Sequence, residues 1–221
     1  MAKVLVIGGH GKIALLTEPM LVAGGHDTTA VVRNRDHVSD VESTGARARV
    51  ADIEMLDQPP QVDEMVAGYD VVVWSAGAGG GNPARTKAVD QDAALRVLDA
   101  VVRSGARFIM VSYFGSTRTH GVPADNGFYA YAEAKSIVDE AIRDSVADWV
   151  ILAPSGLTLE SEGGIELDPS TGAEASGSVA AGQIPRATVA RLIAEVVDRG
   201  DLNSVTLRCN GGDKPIADAL A

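Results

Sequence analysis

The chain has 221 residues, of which 46% are hydrophobic and 22% are charged, and its formal net charge is -11. This composition is ordinary for a globular protein, and the length suits a single domain over residues 1–221. The acidic balance argues against a nucleic-acid partner and a membrane surface, and no stretch reaches the ~20 apolar residues of a membrane-spanning helix. No signal peptide is expected, and a single cysteine, Cys209, excludes an intrachain disulfide, which favours a cytoplasmic protein.

The N-terminal stretch combines a strand pattern, a glycine turn and a helical pattern. Val4–Ile7 is a short apolar run, and Gly8, Gly9 and Gly11 follow it before the helical pattern begins. This order predicts a dinucleotide-binding turn, in which the helix N-terminus offers free N–H groups to the phosphates. The alternative is a strand-to-helix turn without a ligand. The residues expected to contact a cofactor here are Gly8, Gly9, His10, Gly11, Lys12 and Ile13.

The second predicted strand, Thr28–Val32, ends in a basic sequence. A site for NAD usually has an acidic residue at this position, which holds the ribose 2′-hydroxyl. This chain has Arg33, Asn34 and Arg35 instead. Two guanidinium groups suit a 2′-phosphate, because they bind it through charge-assisted hydrogen bonds. We therefore predict NADP(H) as the cofactor. The alternative is two solvated arginines beside Asp36, which could cap the following helix.

Further candidate cofactor contacts follow the third and fourth predicted strands, Ala48–Ala51 and Val71–Trp74. Asp52 could bind the adenine amino group and Ile53 the face of the ring, although Asp52 could equally cap a helix. The glycine-rich stretch 75–81 would let the nicotinamide half of a cofactor lie against the backbone, because ligands bind at the carboxyl ends of strands. The contacts expected in this stretch are Ala76, Gly77 and Ala78.

The rest of the chain continues the alternation of strands and helices. The remaining predicted elements are helices over residues 36–44, 61–67, 83–103, 129–144 and 185–197 and strands over residues 108–111, 149–152 and 205–207. This alternation predicts the α/β class: a Rossmann-type, doubly wound parallel sheet flanked by helices. The segments 114–128 and 155–182 are expected to be loops that form a small substrate lid, with solvated acidic residues up to Asp168.

Tyr131 and Lys135 are four residues apart on a predicted helix, which places both on one face, one turn apart. A phenol with a pKa of about 10 is a poor acid or base at neutral pH, and a nearby ammonium lowers that pKa. The pair could therefore relay a proton while hydride moves to or from a nicotinamide. The alternative is a tyrosine at the edge of the core beside a solvated lysine. No histidine spacing suggests a metal site, and none is expected.

The chain resembles the atypical short-chain dehydrogenases/reductases, in particular the NmrA-like NAD(P)H-binding group, whose members often carry the provisional name NAD-dependent epimerase/dehydratase. The resemblance covers nearly the whole chain. The residues that carry it are Gly8–Ala14, Val32–Asn34, Ala51–Asp52, Ser75–Gly77, Val89–Asp90, Val111–Ser112, Tyr131–Lys135, Ala153–Thr158 and Asn210–Ile216. It implies a Rossmann fold, a nicotinamide cofactor that Lys135 and Pro154 also contact, and a catalytic set of Tyr131, Lys135, Ser112 and Asp90.

The chain departs from the wider family's Asn–Ser–Tyr–Lys set at two positions. Asp90 stands at the asparagine position, a change for which the atypical group is known. At the end of strand five the family often has Ser-Ser, and this chain has Ser112-Tyr113. Because the catalytic serine usually aligns with the second residue, Ser112 would act only if the loop is shifted by one. These departures weaken the expectation of efficient carbonyl reduction and leave that of NADP binding unchanged.

Three functions are compatible with the sequence. The first is an NADP(H)-dependent oxidoreductase that reduces a small carbonyl, quinone or flavin-like acceptor, acting as a monomer or homodimer. The second is a non-catalytic NADP(H) sensor of the NmrA kind, which binds a protein partner. The third, a sugar-nucleotide epimerase or dehydratase, is less favoured. Such enzymes generally carry a larger C-terminal substrate domain, and only about 70 residues follow Leu152.

Overall fold

The computed structural model describes residues 1–79, 81–168 and 179–221. Within them, one sheet has eight strands, and two further short strands pair with each other. The strands are β1 (Lys3–Ile7), β2 (Asp27–Val32), β3 (Arg47–Val50), β4 (Val71–Trp74), β5 (Arg107–Val111), β6 (Asp148–Pro154), β7 (Gly156–Thr158), β8 (Gly164–Leu167), β9 (Gln183–Pro185) and β10 (Val205–Gly212). The large sheet has the order β3-β2-β1-β4-β5-β6-β10-β8, and β7 pairs with β9.

Helices cover both faces of the large sheet. They are α1 (Ala14–Ala23), α2 (Val38–Glu42), α3 (Pro59–Val66), α4 (Pro83–Thr86), α5 (Ala94–Ser104), α6 (Tyr129–Asp144), α7 (Arg186–Asp198) and α8 (Ile216–Ala219), with a 3-10 turn at Arg35–His37 and a π-helical segment at Lys87–Ala93. Side chains of α1, α2, α7 and α8 pack into one core cluster. Side chains of α3, α5 and α6 pack into a second cluster. The fold class predicted from the sequence is confirmed.

The central strands are apolar throughout because both of their faces are buried. In β1, Val4 and Val6 belong to the first core cluster, whereas Leu5 and Ile7 belong to the second. All four are at most 1% exposed. Side chains alternate between the faces of a strand, so a strand with helices on both sides needs a continuous apolar run instead of an alternating one.

The strand order places the glycine turn at the centre of the sheet. β1 pairs in parallel with β2 on one side and with β4 on the other. The chain therefore leaves β1 at the point where the order of strands reverses, which is where doubly wound sheets bind their ligands. The carboxyl ends of β1, β2, β3 and β4 meet at the same edge.

The region predicted to be a loop over residues 155–182 is only partly irregular. The strands β7 and β8 lie within it, and residues 169–178 of the predicted lid lie outside the described residues. β8 runs antiparallel to β10, so the sheet is not parallel throughout. The last strand also reaches Gly212 instead of Leu207, because its second half pairs with the unpredicted β8. Asp168, expected to be solvated, is 1% exposed.

Two helix predictions also need correction. The predicted helix over residues 83–103 consists of α4, the π-helical segment and α5, and it ends at Gly105 as expected, with a left-handed φ of 73°. The cap after β2 is Asn34 and not Asp36, because the Asn34 side chain accepts the N–H of Asp36. No helix in the described ranges is long and apolar enough to cross a membrane.

Candidate cofactor and substrate site

Two glycines shape the turn between β1 and α1. Gly8 has a φ of +90°, and a Cβ there would lie 2.5 Å from the Cα of Ala76, which follows β4. A Cβ on Gly11 would lie 3.0 Å from the main-chain oxygen of Gly8. Ala14 is fully buried where α1 begins. The turn is therefore compact because two strands and a helix converge at positions where side chains are absent or small.

The same turn presents unused main-chain donors. Within the described part of the chain, the N–H groups of His10, Lys12 and Ile13 donate to no main-chain oxygen, whereas that of Gly9 donates to Val31. Free N–H groups and the positive end of a helix dipole form an anion-binding site. These donors fit the pyrophosphate of a dinucleotide.

A cleft of about 350 Å³ lies beside the turn, at the carboxyl edge of the sheet. Nine of the residues predicted as cofactor contacts line it: Gly8, His10, Gly11, Arg33, Asn34, Asp52, Ile53, Ala76 and Gly77. The structure thus brings together segments that follow β1, β2, β3 and β4. The roles of these residues in binding stay predictions.

The remaining predicted contacts do not line this cleft. They are Gly9, Lys12, Ile13, Arg35, Ala78, Lys135 and Pro154. Other lining residues were not predicted: Val31, Val32, His37, Ala51, Glu54, Ser75, Arg85 and Val89. Several of these adjoin predicted ones, and extending each prediction by one residue would have included Glu54 after Ile53. Arg85 lies outside the sequence motifs, and its position in the cleft became apparent only from the packing of α4.

Arg33 and Arg85 share one carboxylate at the rim of the cleft. The Oε1 atom of Glu54 accepts a hydrogen bond from Nη1 of Arg33 at 3.1 Å and from Nε and Nη2 of Arg85 at 3.2 Å each. Asp52 supports this loop through its Oδ1, which accepts the N–H of Glu54. This Asx-type turn uses one carboxylate oxygen of Asp52.

Two histidines that line the cleft stack on each other. The rings of His10 and His37 lie 3.6 Å apart at 12°. Asp40 lies 2.8 Å from Nε2 of His10 and orients its ring. His10, predicted in the turn, is thus held in place by residues of the 3-10 turn and α2.

Asp90 supports the turn after β4. Its Oδ2 accepts the N–H of Ala78 at 3.0 Å, and its Oδ1 would lie 3.2 Å from a Cβ on Gly77. Burial raises the pKa of Asp90, opposed by the Ala78 hydrogen bond and by the charges of Lys135 and Arg85. The π-helical segment aims this carboxylate at the turn. Segments of this kind occur often at functional sites.

Lys135 and Ser112, both predicted catalytic residues, are hydrogen-bonded in the interior. Nζ of Lys135 donates to the main-chain oxygen of Val111 at 2.7 Å, and burial lowers its pKa, opposed by Asp139 and Asp90. Oγ of Ser112 donates to Oδ2 of Asp139 at 2.5 Å. Burial raises the pKa of Asp139. The buried ammonium is thus compensated by two buried carboxyl groups.

The expected lowering of the Tyr131 pKa is wrong. Burial raises this pKa, and the negative charges of Asp90 and Asp139 raise it further. Burial is the larger cause, and the ammonium of Lys135 donates to Val111 of β5 and faces two carboxyl groups instead of the phenol. A phenol in this environment stays protonated at neutral pH, so it does not serve as a base, and it is a weaker acid than an ordinary tyrosine.

An aromatic cluster adjoins this tyrosine. The ring of Tyr131 lies 5.7 Å from that of Tyr113 and 5.1 Å from that of Phe128, and the latter two are 5.3 Å apart. Phe128 is 45% exposed. We call Tyr113, Phe128 and Tyr131 the aromatic wall. The charge of Asp90 raises the pKa of Tyr131, and its carboxylate also accepts the N–H of Ala78. The aromatic wall therefore lies near the end of the glycine-rich turn that lines the cleft.

The fold and the glycine turn define a Rossmann-type dinucleotide-binding protein. The family model described as NAD(P)H-binding matches residues 8–200. The chain belongs to this NAD(P)H-binding family. This membership agrees with the resemblance to atypical short-chain dehydrogenases/reductases.

Relatives of similar length are found in fungi and bacteria. The UPF0659 protein C216.03 of Schizosaccharomyces pombe is 32% identical, and the match covers 100% of this chain and 94% of the relative. The protein named uncharacterized sugar epimerase YhfK of Bacillus subtilis is 29% identical, with 99% and 98% covered. The matches cover nearly the whole of this chain and of each relative.

Solved structures share the fold over the whole chain. A Bacillus halodurans protein with the provisional name NAD-dependent epimerase/dehydratase has a TM-score of 0.87 at 29% identity, covering 100% of this chain and 99% of the other. The oxidoreductase YlbE of Lactococcus lactis has a TM-score of 0.83 at 20% identity, covering 99% and 94%. Together with the family match, these similarities show an NAD(P)H-binding protein with a Rossmann-type fold.

Proposed function

We propose that this protein is an NADP(H)-dependent oxidoreductase that reduces a small conjugated acceptor of the quinone or flavin type. The observation that carries the cofactor assignment is the set of free N–H groups at His10, Lys12 and Ile13 beside a cleft whose rim holds Arg33 and Arg85. Bound NADPH would supply a hydride. The chain itself would bind phosphates at the turn and the acceptor at the aromatic wall.

The acceptor class follows from the environment of Tyr131. A raised pKa keeps Tyr131 protonated and also makes it a weaker acid, so it favours an acceptor that does not depend on proton transfer with this phenol. A quinone or flavin can take its proton from water after hydride transfer, whereas a simple carbonyl needs a proton donor at the oxygen. The aromatic wall supports a planar acceptor, because its rings can stack on a conjugated ligand.

A non-catalytic NADP(H) sensor is the second candidate. The observation that favours it is that Ser112 and Lys135 are hydrogen-bonded within the interior, to Asp139 and Val111. In this function the aromatic wall would contact a protein partner. Epimerase or dehydratase action, which the names of two relatives suggest, would need a base, and a protonated Tyr131 does not supply one.

Single-turnover oxidation of bound NADPH separates these functions. A panel of quinones, flavins and aldehydes is mixed with the NADPH complex, and the nicotinamide absorbance is followed. We expect oxidation by the planar acceptors, retained in Tyr131→Phe because the ring remains. The matched control is Tyr129→Phe, which changes a tyrosine packed against His120. If NADPH binds tightly and no acceptor oxidises it, the reductase proposal fails and the sensor function is favoured. Turnover of aldehydes that Tyr131→Phe abolishes would instead identify a carbonyl reductase with Tyr131 as its acid.

A further inference from the structure

Glu54 joins two arginines that come from different segments of the chain. Arg33 follows β2, and Arg85 lies on α4, which follows β4. Both guanidinium groups donate to the same Oε1 atom, and Arg85 also donates through Nη1 to the main-chain oxygen of Ala78. The three side chains are 22–54% exposed, with Glu54 the least exposed. A ligand in the cleft can therefore reach this bridge.

Two guanidinium groups on one oxyanion form the arrangement that also binds phosphate. Arg85 completes this pair, since Arg35 does not line the cleft. A 2′-phosphate carries between one and two negative charges, so it would compete with Glu54 for the same N–H donors and repel its carboxylate. The 2′-hydroxyl of NAD carries no charge and can donate a hydrogen bond to a carboxylate.

We propose that Glu54 determines the cofactor preference, as an internal competitor of the 2′-phosphate for Arg33 and Arg85. This inference rests on the proposed binding of NADP(H) in the cleft. The acidic residue that dinucleotide sites for NAD usually have after β2 is supplied here after β3. Glu54 lowers the preference for NADP over NAD that the two arginines would otherwise produce.

The test measures the dissociation constants of NADP+ and NAD+ by isothermal titration calorimetry. Glu54→Gln should raise the affinity ratio of NADP+ to NAD+ by about tenfold or more, because a charged competitor is removed while the side-chain shape is kept. Arg85→Ala should lower that ratio by a similar factor. Glu64→Gln, on the exposed face of α3, is the matched control and should leave the ratio unchanged. Thermal melting of each variant verifies that it is folded.

A double mutant makes the assignment specific. In the Arg33→Ala/Arg85→Ala background, Glu54→Gln should raise the ratio by clearly less than in the wild type, since competition for the arginines is gone and only the repulsion between carboxylate and phosphate remains. If Glu54→Gln in the wild-type background leaves the affinity ratio of NADP+ to NAD+ unchanged, the inference is overturned, whereas the proposed binding of NADP(H) is unaffected. A ratio that falls also overturns it, because Glu54 would then orient the arginines for phosphate. If the wild type binds neither dinucleotide, the proposed function fails as well.

Discussion

Lys135 donates a hydrogen bond to the main-chain oxygen of Val111 at 2.7 Å, which attaches the ammonium group to the end of β5. Asp139 and Asp90 supply the opposing charges. The Tyr–Lys spacing of the family is thus present in this chain, but its lysine is part of a buried charge cluster. This arrangement gives Lys135 a role in stability that any experiment on catalysis has to separate from a role in the reaction.

We expect Lys135→Met to destabilise the protein by about 3 kcal/mol or more, because two buried carboxyl groups lose their compensating charge. Chemical denaturation at neutral pH measures this loss. The control is Lys87→Met, since Lys87 forms an exposed ion pair with Asp92 and should lose less than about 1 kcal/mol. Equal stabilities for the two variants would contradict a stabilising role for Lys135 and would favour a catalytic role instead.

Glu18 should make stability depend on pH. Its carboxyl is fully buried on α1, it accepts a hydrogen bond from Thr44, and burial raises its pKa to about 8 from an ordinary value of 4.5. The folded state thus holds a proton that the unfolded state releases, so the contribution of Glu18 to stability is full below pH 4.5 and is lost as the pH rises towards 8.

In Glu18→Gln this loss is absent. The stability of the variant relative to wild type should therefore rise between pH 5 and 8, by an amount on the order of 4 kcal/mol. Urea denaturation across this range measures the difference. Glu64→Gln, an exposed control, should give a difference that does not vary with pH. A flat profile for Glu18→Gln would mean that the carboxyl is ionised in the folded protein.

Arg33→Ala should weaken NADP+ binding by about tenfold or more and NAD+ binding much less, since a charge-assisted hydrogen bond to the 2′-phosphate is lost. Arg35→Ala provides the comparison, because Arg35 lies one residue from Asn34 but does not line the cleft. Titration followed by tryptophan fluorescence gives both constants. Equal weakening of NADP+ and NAD+ in Arg33→Ala would remove the 2′-phosphate from the proposed function.

Gly8→Ala should abolish dinucleotide binding and destabilise the protein by several kcal/mol. The new Cβ would meet the Cα of Ala76 at 2.5 Å while the backbone is held at a φ of +90°. Gly68→Ala isolates the cost of the backbone conformation alone, about 1 kcal/mol, because its φ is +79° and no atom lies within 4 Å. Melting temperatures and NADP+ titrations of the two variants check this. Similar stability losses would show that the contact with Ala76 relaxes.

The parts of the site that follow strands were predictable from local sequence. Gly8, Gly11 and Ala76 come within four residues of the end of an apolar run, and parallel strands bring such positions to one edge. Arg85 was not predictable, because nothing in its helix distinguishes it from a solvated arginine. The strand β8 was missed for a similar reason: an edge strand of four residues in a polar, glycine-containing stretch has no periodic pattern that stands out.

Local sequence was sufficient to predict the alternation of buried strands and helices, the glycine turn and the class of ligand. These depend on local backbone conformation and on apolar periodicity, and both can be read along the chain. The tertiary structure, in contrast, sets the directions in which the charged side chains point. It joined Glu54 to Arg33 and Arg85, and it directed Lys135 to Val111 and away from the expected role on Tyr131. Such pairings depend on distances between elements far apart in sequence, and burial strengthens them through desolvation.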